Sequence, residues 1–377
     1  MIAVAGTAAL DGFGLHGISA NVPTGQKPGS FSRDIRDYPH IIDAIPSRDM
    51  KTYFPLIVEA CTDPQKNYLE NIPFLIELEV CKIWSESRFE WDALSNVGAG
   101  GLQQLMPGTA RDFGLKVAKN PEMMKLDSAI DNYQSYRSKI AEGRQDLHNL
   151  VETCRIPVSS SNVTNINKIR KSLDKLYVER KAAYNKLKYA KSAYTAKINS
   201  MSEDKRKDFD ARFVPKILIP AGIEHIYRDV MECKKHFGGP VEMNVWRGVA
   251  AYNSGLERTK KWEGLPYIQE TVHFTRGVIS DLTRTLELKY AYSTKNTALI
   301  ANTKRRMGTK APKPYTVYVV KPGDCFYEIV REQIMDRYKL TYSQSLSYIK
   351  DDRGKNIDPD KMSCILPNQS FRIYKPR

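Results

Sequence analysis

The stretch of residues 84–110 combines one carboxylate, a glycine-rich loop and the start of a helix. An apolar run over residues 76–84 has helical character and leads directly to Glu86. A loop rich in Ser, Asn and Gly follows over residues 95–101, and Pro107 is well placed as the first residue of the next helix. This order favours a single acid held at a helix end, beside a loop whose glycines let a bulky ligand approach the backbone.

Two interpretations of Glu86 are open from residue types alone. Most helical glutamates are solvated surface residues, and this is the simpler interpretation. To act as an acid near neutral pH, Glu86 needs a raised pKa, which burial against Trp84, Phe89 and Trp91 would provide. The pattern around Glu86 decides between the two interpretations.

That pattern resembles the signature of the soluble lytic transglycosylases, the lysozyme-like enzymes that cleave the glycan strands of peptidoglycan. The family reads Glu-Ser-x-Phe-x-Pro-x-Ala-x-Ser-x-x-Gly-Ala-x-Gly-Leu-Met-Gln-x-Met-Pro-x-Thr-Ala. Trp91 replaces the family proline and Gln103 replaces its methionine. The matching positions are Glu86, Ser87, Phe89, Ala93, Ser95, Gly98, Ala99, Gly101, Leu102, Gln104, Met106, Pro107, Thr109 and Ala110.

The resemblance resumes over residues 213–285. Residues 249–255 resemble the family's Ala-Tyr-Asn-Ala-Gly, which implies that Tyr252 lies near the acid. Residues 265–274 resemble Pro-x-x-Glu-Thr-x-x-Tyr, which implies that Glu270 lines the sugar cleft. Gly222 falls in a third matching segment and is expected to be a close-packing residue.

The resemblance implies a peptidoglycan lytic transglycosylase that cleaves the MurNAc–GlcNAc β-1,4 bond and leaves a 1,6-anhydro product. Glu86 would be the single general acid and base, and no metal or organic cofactor is implied. Alternatives are a hydrolytic muramidase on the same scaffold and a non-enzymatic protein that binds the cell wall. The residues expected to bind the substrate are Ser95, Gln104, Met106, Tyr252, Asn253 and Glu270.

Residues 118–213 depart from the family and are interpreted as an inserted antiparallel helical hairpin. Two successive stretches of this segment have apolar residues at intervals of three and four, which is typical of helices that pack on each other. Residues 166–198 hold ten Lys or Arg and two Asp or Glu, a net charge of +8. The basic side chains of this predicted helix are either simply solvated or form an arm that contacts a protein or envelope partner. Because no motif residue falls in 120–212, a short loop is expected to replace the hairpin without loss of cleavage of small glycans.

The predicted fold class is α+β. Residues 1–45 are predicted to be a loosely ordered segment, and residues 46–292 a mostly helical lysozyme-like domain interrupted by the hairpin. Residues 293–314 are polar, basic and contain two prolines, which indicates a linker. Residues 315–377 resemble a LysM module, a small βααβ domain that binds glycans; a plain packing domain is the alternative.

The net charge of +15 either serves solubility alone or attracts a polyanion, which could be nucleic acid, anionic lipid or the cell wall. No nucleic-acid-binding motif accompanies it, so the cell wall is the favoured partner and nucleic acid is not expected. The six cysteines show no metal-binding spacing, and Cys325 and Cys364 are the two that fall in one small domain, where they could pair. The N-terminal residues make a poor signal peptide. Action at the cell wall or periplasm would then need another route, such as a phage particle or a dedicated secretion machine.

Overall fold

The structure is a computed structural model that describes residues 31–117, 120–154, 159–266, 268–308, 315–319, 329–335, 348–351 and 370–374. The described chain is mostly helical, as expected, with short strands near its C-terminus. It divides into two units. The first contains residues up to Asp127 and Ala190–Met307, and the second contains Ser128–Tyr189 and the residues from Gly308 onward.

Thirteen α-helices lie in the described part of the chain, and residues 88–106 form the longest connection between two of them. They are α1 (Pro39–Ala44), α2 (Met50–Cys61), α3 (Tyr68–Asn71), α4 (Leu75–Ser87), α5 (Pro107–Asp112), α6 (Pro121–Thr153), α7 (Ser160–Asn199), α8 (Glu203–Phe209), α9 (Pro215–Phe237), α10 (Val241–Ser254), α11 (Leu256–Lys261), α12 (Gln269–Ser293) and α13 (Thr297–Gly308). Single 3₁₀ turns lie at Ile35–Asp37 and Ala211–Phe213. None of the described helices is both long and apolar enough to cross a membrane.

Helix α4 is the centre of the first unit. Every residue from Leu75 to Ile83 is buried, so the helix is enclosed on all sides rather than amphipathic. Helices α2 and α12 pack against it, and α9 packs along α10. Gly248 permits that last contact, because a Cβ atom there would lie 2.3 Å from Cγ2 of Val230.

Helix α4 also carries buried charged residues, and each has a partner from another part of the unit. Glu77 accepts a hydrogen bond of 2.7 Å from Lys289 Nζ of α12 and lies 3.2 Å from His40 Nε2 of α1. Burial by itself raises the pKa of Glu77, but Lys289 and His40 outweigh burial and lower it to about 2. Glu77 therefore links α12 to the central helix through Lys289, and α1 to the same helix through His40.

The prediction of a loosely ordered segment over residues 1–45 is wrong for residues 35–45. These residues form a 3₁₀ turn and α1, which packs against α12. Ile41 and Ile45 are fully or almost fully buried, and His40 contacts Glu77. The four-residue spacing of the two isoleucines places both on one apolar face. The helix was not predicted because six residues are too few to show a helical period. Residues 1–30 lie outside the described residues.

The predicted linker over residues 293–314 is helical from Thr297 to Gly308, so that prediction is wrong for α13. Its polar residues have partners in the first unit. Lys304 Nζ lies 2.6 Å from Asp43 Oδ2, Arg306 lies 2.7 Å from Glu287 Oε2, and Thr303 is fully buried. The basic composition that suggested a linker therefore serves ion pairing. Residues 309–314 lie outside the described residues.

Helices α6 and α7 contact each other through residues 133–184. The guanidinium of Arg144 donates to the Tyr177 hydroxyl at 2.8 Å, and the rings of Tyr133 and Tyr184 lie 5.6 Å apart. From one contact to the other, the residue numbers rise along α6 and fall along α7, as an antiparallel hairpin requires, and the inserted hairpin stays a prediction. The turn over residues 155–158 lies outside the described residues, and Ser159 Oγ caps the start of α7 by accepting from the Asn162 N–H.

The described C-terminal residues form a three-stranded antiparallel sheet in the order β1 (Tyr315–Val319), β3 (Ser370–Tyr374), β2 (Ile349–Asp351). A small apolar cluster accompanies the sheet and includes Ile329, Val330, Ile334, Ile349, Phe371 and Ile373. Strand β2 was not expected, because a βααβ module pairs only its first and last strands. Cys325, Cys364 and most of the expected helical part lie outside the described residues, so the LysM-like interpretation stays a prediction.

Candidate active site

Glu86 is the last residue but one of α4, and a strained turn follows it. Arg88 and Phe89 have φ values of 57° and 66°, a left-handed conformation that costs roughly 1–2 kcal/mol for each non-glycine residue. Packing holds this turn, since Phe89 is buried and the Arg88 guanidinium lies 4.2 Å from the Trp84 ring centre. The turn fixes the position of Glu86 at the helix end, as strain maintained by packing often does at functional sites.

The carboxyl group of Glu86 has a raised pKa. Burial is the largest cause and raises it, Lys82 one helical turn earlier lowers it, and the charges of Glu270 and Glu79 raise it again. The resulting pKa is about 8. At neutral pH this group is mostly protonated, which is the state that a general acid needs. The residue as a whole is only partly buried, so part of its side chain or backbone reaches the surface.

The loop after Glu86 folds back on itself. Gly100 pairs with both Leu94 and Leu105, and its N–H donates to the Leu105 carbonyl at 3.0 Å. The Ser95 hydroxyl oxygen accepts from the backbone N–H groups of Val97 and Ala99 at 3.2 and 2.9 Å. Ser95 therefore helps to hold the loop in shape, and its expected contact with the sugar stays a prediction.

Gln104 has a similar internal role. Its backbone is left-handed with φ of 47°, and its side-chain amide donates to the carbonyl groups of Ala93 and Gly101 at 3.0 and 2.8 Å. These hydrogen bonds join the two ends of the loop. Met106, the third expected contact in this stretch, is 42% exposed and so is accessible to a ligand.

The segment that ends the insertion packs directly under this loop. Gly101 has φ of +73°, and a Cβ atom there would lie 1.9 Å from the carbonyl oxygen of Arg212. Arg212 is fully buried, and its guanidinium donates to the Gly98 and Leu105 carbonyl groups at 2.7 and 3.0 Å. Glycine at position 101 is thus required by the approach of residue 212.

Asp210 neutralises Arg212. The Arg212 Nε and NH2 groups donate to the two Asp210 carboxylate oxygens at 2.9 and 2.7 Å, a bidentate pair with no solvent exposure of either side chain. The Tyr194 hydroxyl donates to the same carboxylate at 2.8 Å. Residues 194–212, which belong to the predicted insertion, therefore support the loop of the candidate site.

The end of α7 adds exposed contacts to the same loop. Lys191 Nζ donates to Asn96 Oδ1 and Asn199 Nδ2 donates to Asp92 Oδ2, each at 2.9 Å. These contacts argue against the expectation that residues 120–212 can be replaced without loss of cleavage of small glycans. It rested on the absence of motif residues, and the supporting residues Tyr194, Asp210 and Arg212 belong to no motif.

A shorter deletion should separate the hairpin from the site. We expect that replacing residues 128–189 with a Gly/Ser linker preserves cleavage of short soluble glycans, because Tyr194, Asp210 and Arg212 remain. Replacing residues 120–212 should abolish cleavage, because the Gly98 and Leu105 carbonyl groups of the loop then lose the Arg212 donors. Both proteins would be assayed for fragment release and thermal unfolding. Equal activity of the two deletions would contradict the supporting role of the second segment.

Tyr252, near the end of α10, contacts the loop that follows Glu86. Its hydroxyl donates to the backbone carbonyl of Gln103 at 2.7 Å. Burial, and then the nearby charge of Glu86, raise the pKa of Tyr252 far above its usual range, so the phenol stays protonated. Tyr252 thus lies close enough to Glu86 for the charge of Glu86 to affect its pKa.

Asn253 and Glu270 join the ends of two helices. The Asn253 side-chain oxygen accepts from the Thr271 hydroxyl at 2.7 Å, which links the end of α10 to the start of α12. Glu270 is exposed and acts on Glu86 through its charge. Asn253 is therefore engaged in a structural hydrogen bond, whereas Glu270 has a carboxylate available at the surface.

The motifs did not indicate a buried polar cluster under Glu86, which consists of Glu79, Lys82, Gln103 and Gly222. Glu79, Lys82 and Gln103 are all fully buried. The sequence carries a signal for it, because Gln103 stands at the motif position of a methionine. Glu79 and Lys82 are three residues apart on an otherwise apolar helix, a spacing at which side chains pair.

One comparison with known proteins bears on these residues. Residues 79–137 match the transglycosylase SLT domain. The SLT match includes Glu86, Ser95, Gln104 and Met106 and supports, at the level of the family, lytic transglycosylase-type activity on peptidoglycan. Tyr252, Asn253, Glu270 and residues 315–377 lie outside it. No curated protein and no solved structure matches the chain.

Proposed function

We propose that this protein is a peptidoglycan lytic transglycosylase that cleaves the β-1,4 bond between N-acetylmuramic acid and N-acetylglucosamine. Glu86 is the single acid and base of the reaction. The observation that carries the proposal is the carboxyl group of Glu86 at a helix end, within the SLT match, whose pKa burial raises to about 8.

In the first step, protonated Glu86 gives its proton to the glycosidic oxygen as the bond to the anomeric carbon breaks. Glycosidases commonly use a second carboxylate to stabilise the anomeric centre, and substrate-assisted enzymes are exceptions. Here the N-acetyl group of the muramic acid fills that role.

In the second step, the Glu86 carboxylate takes the proton of the C6 hydroxyl of the same sugar. The C6 oxygen bonds to the anomeric carbon and gives the 1,6-anhydro ring, which regenerates protonated Glu86. No water is consumed. In a hydrolytic muramidase, water would take the place of the C6 hydroxyl and leave a reducing end.

The remaining residues shape the cleft. Ser95 and Gln104 keep the loop in place, and Tyr252 donates to the Gln103 carbonyl. Met106 and Glu270 are exposed and would contact the sugar. The substrate places this activity at the cell wall. A glycan-binding role for residues 315–377 and an envelope contact for the basic face of α7 stay predictions.

The pH dependence follows from the protonation of Glu86. Because the free enzyme must carry the proton, we expect kcat/KM to fall above pH 8, about tenfold per pH unit, following the pKa of about 8. Glu270→Gln removes a charge that raises this pKa, so the alkaline limb should move to lower pH. If kcat/KM declined at the same alkaline pH in both proteins, Glu86 would not be the group that causes the decline.

The direct test of the function is release of soluble fragments from purified, insoluble peptidoglycan. The full chain should release muropeptides in the absence of any added cofactor. A preparation that is folded by circular dichroism but releases no fragments would overturn the proposal and favour a wall-binding protein.

A further inference from the structure

The buried cluster under Glu86 is held by four specific contacts. Lys82 Nζ lies 2.9 Å from Glu79 Oε2 and donates to the Gly222 carbonyl at 3.0 Å. The Gln103 amide donates to the other Glu79 oxygen. Lys82 Nζ also lies 4.2 Å from the centre of the Tyr252 ring, close enough for a cation–π interaction.

Close packing fixes this cluster in one arrangement. A Cβ atom on Gly222 would lie 2.2 Å from Cδ of Gln103, so only glycine fits beside the amide. Glu79, Lys82 and Gln103 have no solvent exposure. A methionine at position 103 could not donate a hydrogen bond, and Glu79 would then lose its second partner. Gln103 is therefore explained by Glu79 rather than by a sugar.

A buried ion pair of this kind is weak evidence for stability, since the cost of removing both charges from water offsets much of their attraction. The position of the pair beside Glu86 suggests a role other than stability. Lys82 and Glu86 are four residues apart, which places them one above the other on the same face of α4. Lys82 favours the ionised form of Glu86, whereas Glu79 opposes it with a smaller effect.

We propose that Lys82, held by Glu79, Gln103 and Gly222, is a positioning residue that stabilises the Glu86 carboxylate formed once the acid has given up its proton. This inference rests on the proposed function. The reaction needs Glu86 in both states in turn, as acid and then as base. Burial favours only the protonated state, and the ammonium of Lys82 keeps the ionised state accessible.

The other charged and titratable groups around Glu86 do not supply this effect. Glu270 of α12 carries a negative charge, which disfavours a second carboxylate. Tyr252 of α10 stays protonated and donates its hydrogen to Gln103. Behind Tyr252, the His225 ring of α9 lies 4.5 Å away, and Asp229 lies against it. Among these groups, Lys82 supplies the favourable charge.

The test replaces the whole cluster with apolar residues, in the triple variant Glu79→Leu, Lys82→Met, Gln103→Met. The triple change is used because Lys82→Met alone would leave the Glu79 charge buried and unpaired. We expect a folded protein with an alkaline limb about one pH unit higher and kcat at least about tenfold lower at similar KM.

The control is Gln103→Met, which weakens the cluster but keeps the ammonium. It should lose thermal stability while its alkaline limb stays within about 0.3 pH unit of the wild type. An alkaline limb and kcat that are unchanged in the triple variant would overturn the role of Lys82, and so would an equal shift in the control.

A second readout does not depend on activity. The infrared carbonyl band of protonated Glu86, obtained by difference against Glu86→Gln, reports its titration directly in the free protein. In the triple variant this titration should move to higher pH. A wild type that shows the band but releases no fragments would refute the proposed function while leaving the electrostatic effect of Lys82 measurable.

Discussion

Glu86→Gln is expected to abolish release of soluble muropeptides while the protein stays folded. Proton transfer by a positioned acid contributes about 10²–10⁴-fold to a rate, and here one residue serves as both acid and base. A loss of at least about 10³-fold is therefore expected. The measurement is fragment release from purified peptidoglycan, quantified by chromatography at neutral pH.

The same substitution should stabilise the protein in a pH-dependent way. The pKa of Glu86 is raised from 4.5 to about 8, so the folded state binds a proton more tightly than the unfolded chain does. Stability is lost as pH rises from about 4.5 to about 8, on the order of 3 kcal/mol by pH 7. Glutamine avoids this cost, so the gain in thermal stability should be small near pH 5 and largest near pH 8.

Glu90→Gln is the matched control, because Glu90 is an exposed acid four residues further along the chain. It should leave both activity and stability close to those of the wild type. Normal turnover by Glu86→Gln would remove Glu86 from the reaction. Equal pH dependence of stability in the two variants would contradict the burial of its carboxyl group.

The second large effect is expected at Arg212. Arg212→Met leaves the Asp210 carboxylate buried without its cation and removes donors from the Gly98 and Leu105 carbonyl groups. Breaking such a buried pair costs about 3–5 kcal/mol, and the loop that follows Glu86 should lose its shape. Both the temperature of thermal unfolding and the rate of fragment release should fall strongly.

Arg212→Lys separates support of the loop from folding. Lysine keeps the charge beside Asp210 but lacks the planar fork that reaches two carbonyl groups at once. This variant should fold and yet cleave more slowly than the wild type. Lys116→Met is the control, since Lys116 forms an ion pair with Asp208 at 2.9 Å in which both side chains are mostly exposed, and it should change stability by less than about 1 kcal/mol. An equally small change in Arg212→Met would contradict the support of the loop by Arg212.

The sequence indicated the part of the site that is local in the chain. Glu86 at a helix end, the glycine loop after it and the helix beginning at Pro107 are neighbours in sequence, and they form as expected. Tyr252 was placed near Glu86 by its motif. Local spacing and turn residues carry this information, because helix ends and tight turns depend on only a few adjacent residues.

The residues that support the site could not be recognised in the same way. Lys82, Glu79 and Arg212 are charged residues that would normally be assigned to the surface, and all three are buried. Their partners are distant in sequence, as in the contact of Arg212 with Gly98. Residues 35–45 and α13 were misjudged for the same reason, since tertiary ion pairs and packing override composition.

The most direct test of this account is mass analysis of the fragments released from purified peptidoglycan by the full chain, with Glu86→Gln in parallel. The account predicts 1,6-anhydro-muramic acid ends, lighter by one water than hydrolytic products, and no fragments from the variant. Reducing muramic acid ends would contradict the lyase reaction and identify a muramidase. The same products from both proteins would contradict the central role of Glu86.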